Sequence, residues 1–157
     1  MSEKHRCGWA PGTDPLYAAY HDEEWGVPEW DGRALWEKLV LDGFQAGLAW
    51  ITILRKRETM RAAFDNFEPA RVARYDERRI EKLLADPGII RSRAKIVAAI
   101  EGARLYNAMA KQGEDFSAYI WSFTGGKPIQ NRWEHYTSAP TQSRESEALS
   151  KDLRTRG

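Results

Sequence analysis

Residues 83–96 read LLADPGIIRSRAKI and place a proline–glycine turn between two segments with helical apolar spacing. Gly88 can take a positive φ at no steric cost, so the chain can reverse tightly there, and Ile90 would anchor the turn to the core. The next helix exposes unpaired N–H groups at the positive end of its dipole, where phosphate binds. Three cations stand beside them: Arg91, Arg93 and Lys95. The pattern fits a phosphate-gripping hairpin, and equally an ordinary helix–helix turn with a solvated basic end.

Outside this hairpin the sequence predicts further helices and no strand. Apolar residues recur at helical spacing, and no segment alternates apolar and polar residues cleanly enough for a strand. Asp42-Gly43 is expected to separate two of the helices. The predicted helices cover residues 15–25, 31–41, 45–64, 70–74, 76–84, 91–109, 116–123 and 143–154. We therefore predict an all-α fold in one domain, residues 1–157.

The composition is that of a soluble globular protein, with 42% hydrophobic and 30% charged residues. No apolar run approaches the ~20 residues that span a bilayer, and the N-terminus lacks the apolar core of a secretory signal. These features predict a cytoplasmic protein, and the absence of an association motif predicts a monomer. The net charge is +1, so any binding to nucleic acid must come from local basic clusters.

Seven tryptophans in 157 residues are unusual. Three of them lie near two tyrosines in short, polar, turn-rich stretches: Trp9, Trp25 and Trp50 with Tyr17 and Tyr20. A cluster of large flat rings suits a site that grips a planar ligand. Judged singly, each ring is more often part of a core than of a ligand site.

Several strings, in order along the chain, resemble the DNA-3-methyladenine glycosylase I family. They are RCGW at 6–9, DPLY at 14–17, YHDEEWGVP at 20–28, LDGFQAGLAWIT at 41–52 and GIIR at 88–91, with weaker matches at 121–123 and 148–153. The resemblance covers essentially the whole chain. It implies a helix-hairpin-helix glycosylase that binds alkylated double-stranded DNA and flips out 3-methyladenine. The enzyme would then hydrolyse the N-glycosidic bond and release the free base without cutting the strand.

The resemblance also implies a base pocket, because electron-rich rings attract a cationic methylated purine. Its members are Trp9, Tyr17, Tyr20, Trp25 and Trp50, with Tyr20 and Trp50 stacking on the base. Asp42 is the candidate catalytic carboxylate, which would accept a hydrogen bond from the exocyclic amine. The family carries glutamate there, one methylene longer. The residues alone also allow Asp42 to be the N-cap of the following helix.

Two further candidates are Gln45 and Leu48, which could fill the gap left by the flipped base or could be helix surface and core. A non-catalytic hairpin module that binds DNA is the alternative function, and a nucleobase binder without DNA is a third.

Cys7 and His21 match two of the four ligands of a structural zinc ion in the family. The other two family ligands lie beyond a stretch that follows Gly157, so the chain is expected to lack the last family segment and to bind zinc poorly. With one cysteine, no intrachain disulfide is possible.

Overall fold

The computed structural model describes residues 5–157, and over that range eight α-helices form the fold; residues 1–4 of the predicted domain lie outside it. The helices are α1 (Pro15–Glu23), α2 (Gly32–Gln45), α3 (Trp50–Ala63), α4 (Pro69–Val72), α5 (Glu77–Leu84), α6 (Arg93–Lys111), α7 (Phe116–Ser122) and α8 (Arg144–Arg156). Residues 5–157 contain no β-strand, so the all-α prediction is confirmed. None of these helices has the length and apolarity to cross a membrane.

Side-chain caps fix where several helices begin. In each case a carboxylate or hydroxyl oxygen accepts the N–H three residues ahead, which satisfies a donor that the first helical turn leaves free. The capping residues are Asp14, Asp31, Asp76, Ser92, Asp115 and Ser143.

The predicted break at Asp42-Gly43 is wrong, because α2 continues to Gln45. Glycine inside a helix costs about 1 kcal/mol relative to alanine. Burial of Phe44 outweighs that cost, since its ring is 1% exposed and packs edge-on against Phe64 at 5.6 Å. The chain turns instead at Gly47, where φ is +81°. Since α3 begins at Trp50 with Ala49 at the N-cap position, the alternative that Asp42 caps α3 is also wrong.

The core surrounds α6, which packs against α2, α4, α5 and α7. From α6 it takes Ile96, Ile100 and Ala103, and from α2 it takes Trp36 and Phe44. This core holds α2 and α3 in fixed positions, and these two helices carry most of the candidate site.

The hairpin joins α5 to α6 through residues 85–92, and its glycine serves a different purpose from the one predicted. Gly88 has no positive φ. A Cβ there would lie 3.0 Å from Asp86 Oδ1 and 3.1 Å from Thr59 Cβ, so a larger residue would press against α3 and the glycine favours close approach. Thr59 Oγ1 donates to the Gly88 carbonyl at 2.5 Å, and Lys56 Nζ donates to the Pro87 carbonyl at 2.8 Å. The turn is therefore fastened to α3.

Candidate functional site

The five predicted aromatic residues form one connected cluster. Trp9 lies at its centre, with its ring centroid 5.1 Å from Tyr17, 5.3 Å from Trp25 and 6.4 Å from Tyr20. Tyr20 in turn lies 5.7 Å from Trp50. The irregular N-terminal segment, α1 and the first residue of α3 thus bring together rings that are up to 41 positions apart (50 − 9).

A cavity of about 670 Å³ opens beside this cluster. Tyr20, Trp25 and Trp50 line it, whereas Trp9 and Tyr17 stand behind them and support the rings. Cavities of roughly 300–1,000 Å³ hold small organic ligands, so this one has room for a nucleobase.

In the described part of the chain, Trp50 has an unpaired polar group beside the cavity. Its indole N–H is buried and finds no acceptor within residues 5–157. A buried tryptophan chosen only for packing normally finds a partner for that group. The position is therefore better explained by the flat face that the ring offers to the cavity than by core packing alone.

Asp42 does not line the cavity, but it pairs with a residue that does. Its carboxylate lies 2.5 Å from Lys38 Nζ, one helical turn earlier on α2. Lys38 lines the cavity, and its Nζ stands 4.4 Å from the ring centroid of Trp50. Burial raises the pKa of Tyr20, and the negative charge of Asp42 raises it further. Tyr20 therefore stays protonated at neutral pH and can donate a hydrogen bond.

Two ion pairs stiffen the wall of the cavity. Arg57 on α3 donates two hydrogen bonds to Glu24, at 2.7 and 2.8 Å, and this bonding lowers the pKa of Glu24. Glu37, only 5% exposed, accepts from Arg61 Nε at 2.7 Å. Neither pair could be predicted from the sequence, because their members lie 33 and 24 positions apart and no local pattern joins them.

The loop between α2 and α3, residues 46–49, is exposed and lies beside the hairpin. Gln45 Nε2 donates to the Leu48 carbonyl at 2.8 Å, which leaves the Leu48 side chain exposed at the tip. Lys95 Nζ donates to the carbonyls of Phe44 and Ala46, at 2.8 and 2.7 Å. Lys95 thus ties the end of α2 to the first turn of α6 and joins loop and hairpin into one surface.

The three hairpin cations have different surroundings. Arg93 forms ion pairs with Glu77 and Glu81 on α5, and Lys95 is held by the carbonyls named above. Arg91 is exposed and has no ion-pair partner within the described residues. Ile90 is partly buried against the core, as predicted for an anchor.

Cys7 and His21 lie side by side. The Cys7 backbone N–H donates to His21 Nε2 at 3.4 Å, and His21 Nδ1 lies 3.0 Å from Asp22 Oδ1. A carboxylate on one ring nitrogen is the usual support of a metal-binding histidine. Residues 5–157 hold no group of three or more side chains that could bind a metal ion together.

Comparison with known proteins identifies close relatives. The sequence model of the methyladenine glycosylase family matches residues 9–157. The chain is 49% identical to the DNA-3-methyladenine glycosylase 1 of Escherichia coli (strain K12), over 97% of this chain and 81% of that protein. It superposes on a crystal structure of 3-methyladenine DNA glycosylase I with a TM-score of 0.94 and 49% identity, covering 98% of this chain and 84% of the other. A variant of a 3-methyladenine DNA glycosylase I in complex with 3-methyladenine gives a TM-score of 0.92 and 36% identity, covering 98% and 82%.

Proposed function

The chain belongs to the methyladenine glycosylase family, and on that premise we propose that it is a DNA repair enzyme that removes 3-methyladenine from alkylated DNA. It hydrolyses the N-glycosidic bond after flipping the damaged nucleotide out of the duplex. The single observation that carries this function is the cluster of five rings that opens, through Tyr20 and Trp50, onto a cavity of nucleobase size.

The chemistry explains why such a site is sufficient. A 3-methylated adenine in DNA is a cation, so its glycosidic bond is already weak. When that bond breaks, its electron pair stays with the base, which becomes neutral, and the positive charge passes to the sugar. Water then adds to the sugar carbon and loses a proton. The protein must extrude the base, hold it and favour this shift of charge.

The side chains of the site divide this work. Tyr20 and Trp50 stack on the base, Trp25 completes the aromatic wall, and Trp9 and Tyr17 support these rings from behind. Asp42 accepts a hydrogen bond from the exocyclic amine and offsets the charge of the base. Because Asp42 is paired with Lys38 in the free protein, its carboxylate must exchange that partner for the base.

The adjoining surface is suited to the DNA backbone. Gln45, the last residue of α2, and Leu48, on the loop that follows, fill the space left by the flipped base. The hairpin binds phosphate through Arg91 and the N-terminus of α6, and Gly88 and Ile90 shape the turn that presents them. Two cations hold the parts of this surface together. Arg93 fixes α6 to α5, and Lys95 fixes the loop to α6.

We expect the purified chain to release free 3-methyladenine from methylated duplex DNA and to leave the strand uncut. Replacing Asp42 with Asn removes the charge that offsets the cationic base, so release should slow by about tenfold, the loss expected for one charge-assisted hydrogen bond of ~1.5 kcal/mol. Chromatography of the released bases measures the release rate of each protein, and denaturing gel electrophoresis of the DNA shows whether the strand is cut. Duplex binding without any release would indicate a non-catalytic hairpin module, and an Asp42→Asn rate equal to that of the wild type would remove Asp42 from the site.

We also propose that Cys7 and His21 are two of the four ligands of a structural zinc ion in this family fold, supported by their contact and by Asp22 behind the histidine. Two ligands are too few for a closed structural site. These 157 residues are therefore expected to bind zinc weakly, and elemental analysis after dialysis should find well below one equivalent. One tightly held equivalent would contradict this. Cytoplasmic location and a monomeric state stay predictions.

A further inference from the structure

Lys38 occupies a position that the proposed reaction does not yet explain. Its ammonium stands over the ring of Trp50 at 4.4 Å and lies 2.5 Å from the Asp42 carboxylate. Trp50 and Asp42 are the two groups that should receive the charged base: a flat electron-rich face and an acid beside it. In the free protein the ammonium group of Lys38 therefore contacts both side chains that should bind the cationic base, Trp50 and Asp42.

The two contacts of Lys38 are weak enough for the cationic base to replace them. The side chains of Lys38 and Asp42 are both 47% exposed, so water competes for each contact. A cation–π contact and a surface ion pair of this kind each shift an equilibrium by only about two- to fivefold. A lysine side chain is also long and flexible, so its ammonium can move into solvent while α2 stays in place.

We propose that Lys38 is a positioning residue that acts as an internal substitute for the cationic base. It covers Trp50 and neutralises Asp42 in the free enzyme, and the methylated base replaces it, one cation for another. This inference rests on the proposed function and deepens it. Binding of substrate is weakened by the contacts that Lys38 must give up, whereas bond breaking, which follows the exchange, is not affected.

The test removes the charge but keeps the chain length. The probe is an adeninium cation methylated at N3 and N9, in which the N9 methyl group replaces the sugar and preserves the positive charge. Lys38→Met is expected to bind this probe about five- to tenfold more tightly than the wild type, as followed by tryptophan fluorescence. With alkylated duplex DNA, KM should fall by a similar factor while kcat stays within about twofold.

Two control variants separate the exchange from a general charge effect. Lys38→Arg keeps a cation over Trp50 and should bind the probe like the wild type. Lys111→Met removes one positive charge at the exposed end of α6, far along the chain, and should also leave probe binding unchanged.

Probe affinity that is unchanged or weaker in Lys38→Met overturns the inference. A fall in kcat equal to the fall in KM also overturns it, because Lys38 would then act on the bound base. These results are distinct from failure of the proposed function, which is failure of the wild-type chain to release 3-methyladenine. Probe binding is measured without turnover, so the Lys38 inference is decided in either case.

Discussion

Replacing Trp50 with alanine is expected to slow the release of 3-methyladenine by about 10- to 100-fold, since stacking of a base on an aromatic side chain contributes ~1–3 kcal/mol. The tryptophan presents its face to the cavity and is one of the two rings that should hold the flipped base. The rate constant kcat/KM on methylated duplex DNA is the measurement. The loss should appear in this constant with little change in the affinity for undamaged duplex, which depends on the hairpin surface.

Matched variants make the expected loss specific. Trp50→Phe retains a flat face and should recover most of the rate. Trp133→Ala removes a tryptophan that is half exposed and lies outside the aromatic cluster, so its rate should match the wild type. Because Trp50 is partly buried, the unfolding midpoint of each variant must be compared with the wild type. A Trp50→Ala protein that is folded and fully active would place the base elsewhere.

The aromatic part of the site could be predicted from the sequence, because its residues fall within motifs and share an unusual side-chain type. Trp9 lies in a turn, Tyr20 lies inside α1 and Trp50 is the first residue of α3. Lys38 was within reach of the same reasoning, since lysine and aspartate spaced four apart on a helix form ion pairs. The contact between Lys38 and Trp50 could not be predicted, because it depends on how α2 packs against α3.

The errors in the fold have a common physical cause. Glycine was expected to break α2 at Gly43 and to allow a left-handed turn at Gly88, both of which are local preferences. In the structure, burial of Phe44 carries the helix past Gly43. At Gly88 the packing of Thr59 against the backbone explains the glycine. In both places tertiary contacts decide the conformation, and local sequence does not record them.

In the turn between α3 and α4, tertiary contacts also outweigh local backbone preferences. Asp65, Asn66 and Phe67 all have positive φ, at 52°, 55° and 51°. Left-handed helical backbone costs roughly 1–2 kcal/mol for each residue that has a Cβ. The Tyr75 hydroxyl donates to Asp65 at 2.6 Å, and Arg33 donates to the Asn66 carbonyl at 2.8 Å. Phe67 is fully buried and stacks on Phe64 with a centroid distance of 5.3 Å and an interplanar angle of 7°.

Phe67→Ala is therefore expected to lower the free energy of unfolding by about 3–5 kcal/mol, the usual cost of deleting a buried phenylalanine. The variant keeps the strained backbone but loses the burial that compensates for it. Urea unfolding followed by circular dichroism measures the loss, and Phe67→Leu, which retains most of the volume, should lose clearly less. Asn66→Gly tests the strain itself: glycine adopts this φ freely, so stability should not fall even though a side chain is removed. If Phe67→Ala lowered the free energy of unfolding by less than about 1 kcal/mol, the turn would have relaxed into the cavity left by the ring. Burial of Phe67 would then not be what holds the turn in its strained conformation.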